Sequence, residues 1–224
     1  WKSKAKVDLD VSDSDVEKVA AKWKSFAGDI PAAASASLVG APDDASVKLG
    51  LTEKGNLAVT VEHPAFTARR ILMSKDGERY VYNDSFFMAA DKQGGGLGAR
   101  VFADQVEACR AAGLTSIKCH AAKENPEDYE KPHIGYYVWP RFGYDMSLAD
   151  DKGIHESDAK TYAAAREKFP EAKTVLDVMS TPEGRKWWKQ NGTDALNMRF
   201  DLSNGSRSMK VFQAYQAEKA KLAA

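Results

Sequence analysis

Four glycines fall within five residues of the run Gln93-Gly94-Gly95-Gly96-Leu97-Gly98. A strand-like segment, 80–89, precedes the run, and a helix-like segment, 99–112, follows it. A glycine turn that ends a strand and opens a helix aims several backbone N–H groups at one point, with no side chain in the way. The helix N-terminus adds partial positive charge, so such a turn suits a phosphate or pyrophosphate. The rival reading is a plain strand–helix joint. A joint needs one or two glycines, and each further one costs backbone entropy. Residues able to move a proton lie on either side of the run. Glu62 ends a strand beside His63 and Pro64, where it is either a general base or a solvated strand end. Asp84 sits in a long strand among aromatics, a base if buried and plain surface if turned outward. His120 alternates with Lys118 on one side of a later strand. Taken with Asp128 and His133 it matches no established ligand spacing, so no metal site is expected.

The elements that must position these groups can be read from turn chemistry and periodicity. Segments 46–51 and 56–63 flank Thr52-Glu53-Lys54-Gly55, and segments 68–74 and 78–89 flank Lys75-Asp76-Gly77. Both connections are hairpin turns, which predicts four strands in an antiparallel meander whose last member feeds the glycine turn. The helix after the turn keeps Phe102, Val106, Cys109 and Ala112 on one face and stops at Gly113. A strand over 115–121 follows a helical crossover, so it should run parallel to the strand before the turn.

Upstream, residues 1–6 read as frayed. A helix over 15–26 is expected, capped by Ser12 or Ser14, with Val16, Val19, Trp23 and Phe26 as its stripe. Residues 28–46 read as a loop with at most one helical turn, and 122–133 as a polar loop. Downstream, helices are expected over 157–169 and 171–179, then from Thr181-Pro182-Glu183 to Gly192, and over 206–222. A strand is expected over 195–202. The adjacent Trp187 and Trp188 point to different sides of their helix, which puts one of them in the core.

Composition narrows the partners. Lys plus Arg and Asp plus Glu both total 32 among 224 residues, so no global field favours nucleic acid. No stretch approaches the roughly 18 apolar residues of a membrane span, and no signal-peptide pattern opens the chain. Two cysteines, Cys109 and Cys119, are too few for a disulfide framework and read as buried thiols of a reducing, cytoplasmic setting. The first residue is Trp1 rather than Met, which suggests a fragment, a processed form or a tag-trimmed form; a fragment would have other domains of a longer polypeptide as partners.

Two ligand readings of the turn compete. Gly94, Gly96 and Ala99 satisfy G-x-G-x-x-A, the dinucleotide fingerprint. That motif follows the first strand of a parallel sheet almost at once, whereas here antiparallel hairpins come first and Ala90-Asp91-Lys92-Gln93 intervene. The run also matches Gln-x-x-Gly-x-Gly through Gln93, Gly96 and Gly98. An antiparallel meander, that motif, a helix and a parallel strand together resemble the Gcn5-related N-acetyltransferase (GNAT) superfamily across residues 46–145. Leu114-Thr115-Ser116-Ile117-Lys118 and Trp139-Pro140-Arg141-Phe142-Gly143-Tyr144 fall where that family places its next strand and its closing aromatic segment.

The resemblance implies an α+β fold: a mixed, mostly antiparallel sheet with a splayed parallel strand pair, flanked by helices. It divides the chain into an N-terminal helix and loop over 1–45, a core over 46–150 and a helical extension over 151–224. It implies acetyl-CoA as co-substrate. Phe87, Met88 and Ala89 would line the pantetheine arm, and Gln93, Gly94, Gly95, Gly96, Leu97, Gly98 and Ala99 would hold the phosphates. The activity implied is acyl transfer by direct attack of an amine, on a small molecule or a peptide. Glu62 or Asp84 would take the proton and Tyr137 would be the reserve acid, because Trp139 stands where many members carry a tyrosine. That tryptophan also opens a second reading, a non-catalytic module of a larger virion or multidomain protein.

Overall fold

The computed structural model describes residues 2–123, 134–149 and 155–223. The chain forms two compact units, Trp1–Ile117 and Lys118–Ala224. The boundary expected at 150/151 falls on residues outside the described set, as do Asp128 and His133.

The first unit is a twisted sheet with helices, built in the order the hairpin signals predict. β2 (Ser46–Leu51), β3 (Leu57–His63), β4 (Phe66–Lys75) and β5 (Glu78–Met88) pair antiparallel in sequence order. Gly55 and Gly77 take φ of 72° and 77° in the two turns, conformations open to glycine at no steric cost. Alternation then separates two faces. Val47, Leu49, Val59, Val61 and Val81 are wholly buried on one, while Glu62, Thr67 and Phe87 are exposed on the other. Each such buried aliphatic contributes about 1.5–3 kcal/mol relative to exposure.

β1 (Val7–Leu9) adds a strand parallel to β2. The sequence reading misses it, and the reason is brevity: three residues cannot show a period. The stretch before it is tied down as well, with the amides of Ser3 and Lys4 donating to Ser37 Oγ and Asp43 Oδ1. α1 (Val16–Ala27) buries Val19, Trp23 and Phe26 as expected, but Val16 stays exposed and no side chain caps the helix. Ser12 Oγ instead donates to Asp15 Oδ2. The expected loop 28–46 contains α2 (Ser35–Leu38), four buried residues packed on α3 (Leu97–Ala111). Its Ala- and Ser-rich composition reflects that close packing rather than solvent exposure.

α3 buries Val101, Phe102, Gln105, Val106 and Cys109. Gln105 and Asn83 of β5 exchange both of their amide hydrogen bonds, at 3.1 and 2.9 Å, in the core. After α3, β6 (Ser116–Ala121) neighbours β5. The hydroxyls of Thr115 and Ser116 both donate to Glu78, so β6 and β5 start at the same end and run the same way. The fold class is therefore α+β with a mixed, mostly antiparallel sheet.

In the second unit, β7 (Ala195–Asp201) neighbours the end of β6. α4 (Gly135–Arg141) and α7 (Pro182–Asn191) are tied reciprocally, Trp188 Nε1 donating to Tyr136 O and Tyr136 Oη to Lys189 O. Trp188 is the core member of its pair and Trp187 is half-buried. The helix expected over 171–179 is shorter, α6 (Val175–Met179), opened by a capping box of Thr174 and Asp177. α5 (Glu156–Lys168) and α8 (Arg207–Ala223) lie within a residue of expectation. Phe142, Tyr144, Phe200 and Phe212 build an aromatic core.

Candidate functional site

The glycine turn joins the end of β5 to the start of α3. Gly94 and Gly96 have φ of 82° and 77°, the left-handed region that side chains rarely adopt. Backbone conformation thus accounts for two of the four glycines. Gly95 has no positive φ, and a Cβ built on it would meet nothing within 4 Å. Every other glycine without a positive φ among the described residues has a neighbour within that distance: Gly50, Gly98, Gly135, Gly184 and Gly192. The fold therefore gives no reason for glycine at 95. Gly98 would bring a Cβ only into ordinary contact, 3.4 Å from Met88 Cε and 3.6 Å from Phe86 Cε1.

No side chain caps the N-terminus of α3, and its first intrahelical donor in the turn region is Arg100 N, to Gly96 O at 3.1 Å. The amides before it remain available to an external acceptor. Gln93 folds back, Nε2 donating to Met88 O at 3.3 Å, and so fixes the turn to the strand end. Arg100 is exposed, with Nη1 3.5 Å from Gly95 O. The turn is an uncovered cradle of backbone donors with a guanidinium beside it.

The strand before the turn alternates. Met88 and Phe86 lie against Gly98, whereas Phe87 points the other way and is 51% exposed. Ala89 N donates to Ala65 O at 2.9 Å and pins the strand end. Across the sheet Glu62 faces Thr67, and Thr67 faces Phe87. Glu62 and Phe87 therefore share one face, two strand spacings or about 10 Å apart. Glu62 accepts from Lys48 Nζ at 3.0 Å at an exposed strand end. Asp84 is exposed too and pairs with Arg69 at 3.0 Å. It is the outward case of the two considered, and it is also the extra residue of a β-bulge, since Arg69 faces Ser85 while Arg70 faces Asn83.

Tyr137 belongs to α4 of the second unit, half-buried, with Lys189 Nζ 5.7 Å from its ring centre. Trp139 packs edge-on against Phe142 and Tyr144 as a wall residue. His120 meets Asp194 at 3.1 Å. Burial pushes the Asp194 carboxyl up, but the His120 ring and the Lys123 amide outweigh it and leave the group below its usual value. Burial raises the Cys109 thiol well above its usual range, which makes it inert packing. No cluster of potential metal ligands occurs among the described residues.

Sequence reasoning did not find the bulge or the buried polar side chains around it. Arg70 offered a signal, a charged residue between Ala68 and Leu72 at inward positions of β4.

No protein-family model matches the chain. No curated protein matches it either. Among solved structures it is similar to Arabidopsis thaliana Naa50 in complex with the bisubstrate analogue CoA-Ac-MVNAL, at 13% identity and a TM-score of 0.30, over 62% of this chain and 84% of that one. It is similar to the GNAT domain of S. lividans PAT, at 15% identity and a TM-score of 0.29, over 63% and 82%. It is also similar to a GNAT family acetyltransferase from Elizabethkingia anophelis with acetyl-CoA bound, at 10% and 0.29, over 64% and 72%. Likenesses this distant carry no functional inference, so the chain's own geometry has to.

Proposed function

We propose that this chain binds acetyl-CoA through the Gln93–Ala99 turn and transfers its acyl group to an amine. The observation that carries the reading is Gly95, a glycine that neither backbone conformation nor packing requires. A pyrophosphate lying on the backbone would require it, because any side chain there would stand between the phosphate and the amides of the turn. The match of Gln93, Gly96 and Gly98 to the GNAT motif supports the same ligand. So does the order meander, turn, helix, parallel strand in the first unit.

The step uses groups of the first unit alone. The pantetheine arm runs along β5 at Phe87, Met88 and Ala89, its amides paired with the strand backbone. The amine nitrogen attacks the thioester carbonyl carbon. A C–N bond forms and the C–S bond breaks. The amine's surplus proton passes to Glu62, directly or through one water, which the spacing of about 10 Å between its strand and β5 accommodates. The thiolate leaves with the C–S electron pair and is protonated from water. Asp84, held by Arg69, is the alternative acceptor of the proton. Positioning of the two reactants supplies much of such a rate, so one exposed base suffices. The acceptor is a small-molecule or peptide amine.

A specific observation favours the second reading, a non-catalytic module. Trp139, where the resemblance would place an acid tyrosine, is locked among aromatic rings. Thiol release from acetyl-CoA, followed over a panel of peptide α-amines, polyamines and aminoglycosides, separates the two. Acceptor-dependent release supports the enzyme. Tight acetyl-CoA binding with no release above buffer for any acceptor supports the module.

A further inference from the structure

A cleft of about 530 Å³ lies wholly within the second unit, at the end of β7 away from Asp194. That volume is in the range of small-molecule sites. Asp145 and Arg199 exchange both backbone hydrogen bonds at 2.9 Å, so their side chains stand on one face of that short ladder. Asp201 lies two residues beyond Arg199 and shares the face, while Met198 and Phe200 turn into the core. The start of α6 supplies Leu176 as one wall, and the start of α8 supplies Arg207 as the other. Met146, buried like Leu176, completes the apolar part of the lining.

The charges in this cleft are only partly matched to one another. Asp145 Oδ1 accepts from Met146 N at 2.9 Å and from Leu176 N at 3.0 Å. Its Oδ2 lies 4.0 Å from Arg207 Nη1, beyond hydrogen-bond reach. That guanidinium is engaged elsewhere, with Nη1 donating to Asp177 Oδ1 at 2.6 Å and to Thr174 Oγ1 at 3.4 Å. Among the described residues its Nε and Nη2 make no hydrogen bond. Burial lifts the Asp145 carboxyl above its usual value, although the two amides, the Thr174 hydroxyl and Arg207 oppose it. The fold thus leaves a half-buried carboxylate undercompensated beside a guanidinium with donors to spare. A cation placed at Oδ2 would supply what is missing.

The mixture of signs selects the ligand. A phosphate-bearing molecule would meet Asp145, Asp177 and Asp201, and a polyamine would meet Arg199 and Arg207. A zwitterion satisfies both signs. An α-amino acid carries its ammonium and carboxylate on one carbon, which suits opposite charges held 4.0 Å apart. We propose that this cleft binds a free α-amino acid with an aliphatic side chain: the ammonium against Asp145 and Asp201, the carboxylate against Arg199 and Arg207, and the side chain over Met146 and Leu176. An ammonium held against carboxylates stays protonated and is no nucleophile, so this ligand is distinct from the acceptor of the acyl group. The glycine turn belongs to the first unit and takes no part in the site.

Calorimetric titration of the whole chain with L-leucine, in the absence of acetyl-CoA, tests the assignment. Leucinamide keeps the ammonium and loses the carboxylate, and 4-methylpentanoate does the reverse. Leucine should bind with a dissociation constant below about a millimolar, and each analogue at least about tenfold more weakly. Asp145→Asn keeps an oxygen able to accept from both amides and removes the charge, so it should weaken leucine at least about tenfold as well. If that variant does not fold, the analogue series on the wild type decides. No binding of leucine up to about 10 mM by a folded wild type would overturn the proposal. So would equal binding of leucine and its one-charge analogues, or unchanged leucine binding in folded Asp145→Asn.

Discussion

Glycines at two places in this molecule are there for opposite reasons. In α7, Gly184 lies so close to α6 that a Cβ would sit 1.8 Å from Val178 O, and Gly192, after that helix, would place one 2.4 Å from Trp188 O. Those glycines are explained by what already touches them. In the turn before α3, Gly94 and Gly95 face open space. Conformation explains Gly94, with its positive φ, whereas Gly95 has neither a positive φ nor a close neighbour, and the proposed pyrophosphate is what would account for it. A crowded glycine speaks about packing, and an uncrowded one with an ordinary backbone speaks about a ligand.

That contrast fixes what substitutions should do. Gly184→Ala must push backbone apart, so it should destabilise the protein by roughly 3 kcal/mol, the upper end for overpacking, measured as a lower denaturant midpoint. A midpoint within error of wild type would break the contrast at its structural end. Glu62→Gln tests the chemistry beside the turn. It should lower kcat by about a hundredfold for any acceptor the thiol-release assay identifies, with KM for acetyl-CoA unchanged. Equal kcat would transfer the role of base to Asp84 or to water.

The second unit offers a purely structural charge for comparison. Asp194 is held below its usual value in the folded state, so the stability it contributes is present above its unfolded value of 3.8 and is lost as pH falls through the lower folded value. Asp194→Asn should lower Tm at pH 7, and the gap to wild type should close as pH falls below 3.8 and through the lower folded value. A gap that is constant with pH would mean that the His120 and Lys123 contacts carry no charge-dependent stability. The smallest effect is the most diagnostic. Gly95→Ala should leave stability unchanged or raise it by about 0.4–1 kcal/mol, because the site tolerates a Cβ and the unfolded chain loses freedom. Destabilisation would mean that the joint itself needs the glycine.

The two hairpins, the turn and α3 were legible because local chemistry dictates them: Gly55 and Asp76-Gly77 close tight turns, and Val47, Leu49, Val59 and Val61 fall on alternate, inward positions of β2 and β3. β1 was not legible, because three residues gain strand character only by pairing with β2. Nor was the burial of α2, whose small side chains look like loop composition and are small because α3 lies against them. Of the site, the cradle could be read and the bulge could not. An extra residue in a strand changes pairing, not composition, and is visible only against its partner. Asp84, read as a strand residue, is the extra residue of that bulge.

A turn that holds a pyrophosphate should lose it to a carboxylate, which calorimetric titration of acetyl-CoA into wild type and Gly95→Glu would measure. The open site should admit the glutamate without loss of fold, while its carboxylate occupies and repels the phosphate position. The predicted result is micromolar binding by the wild type and at least about a hundredfold weaker binding by the variant, some 2.7 kcal/mol. Equal binding by both proteins, or none by a well-folded wild type, would contradict it.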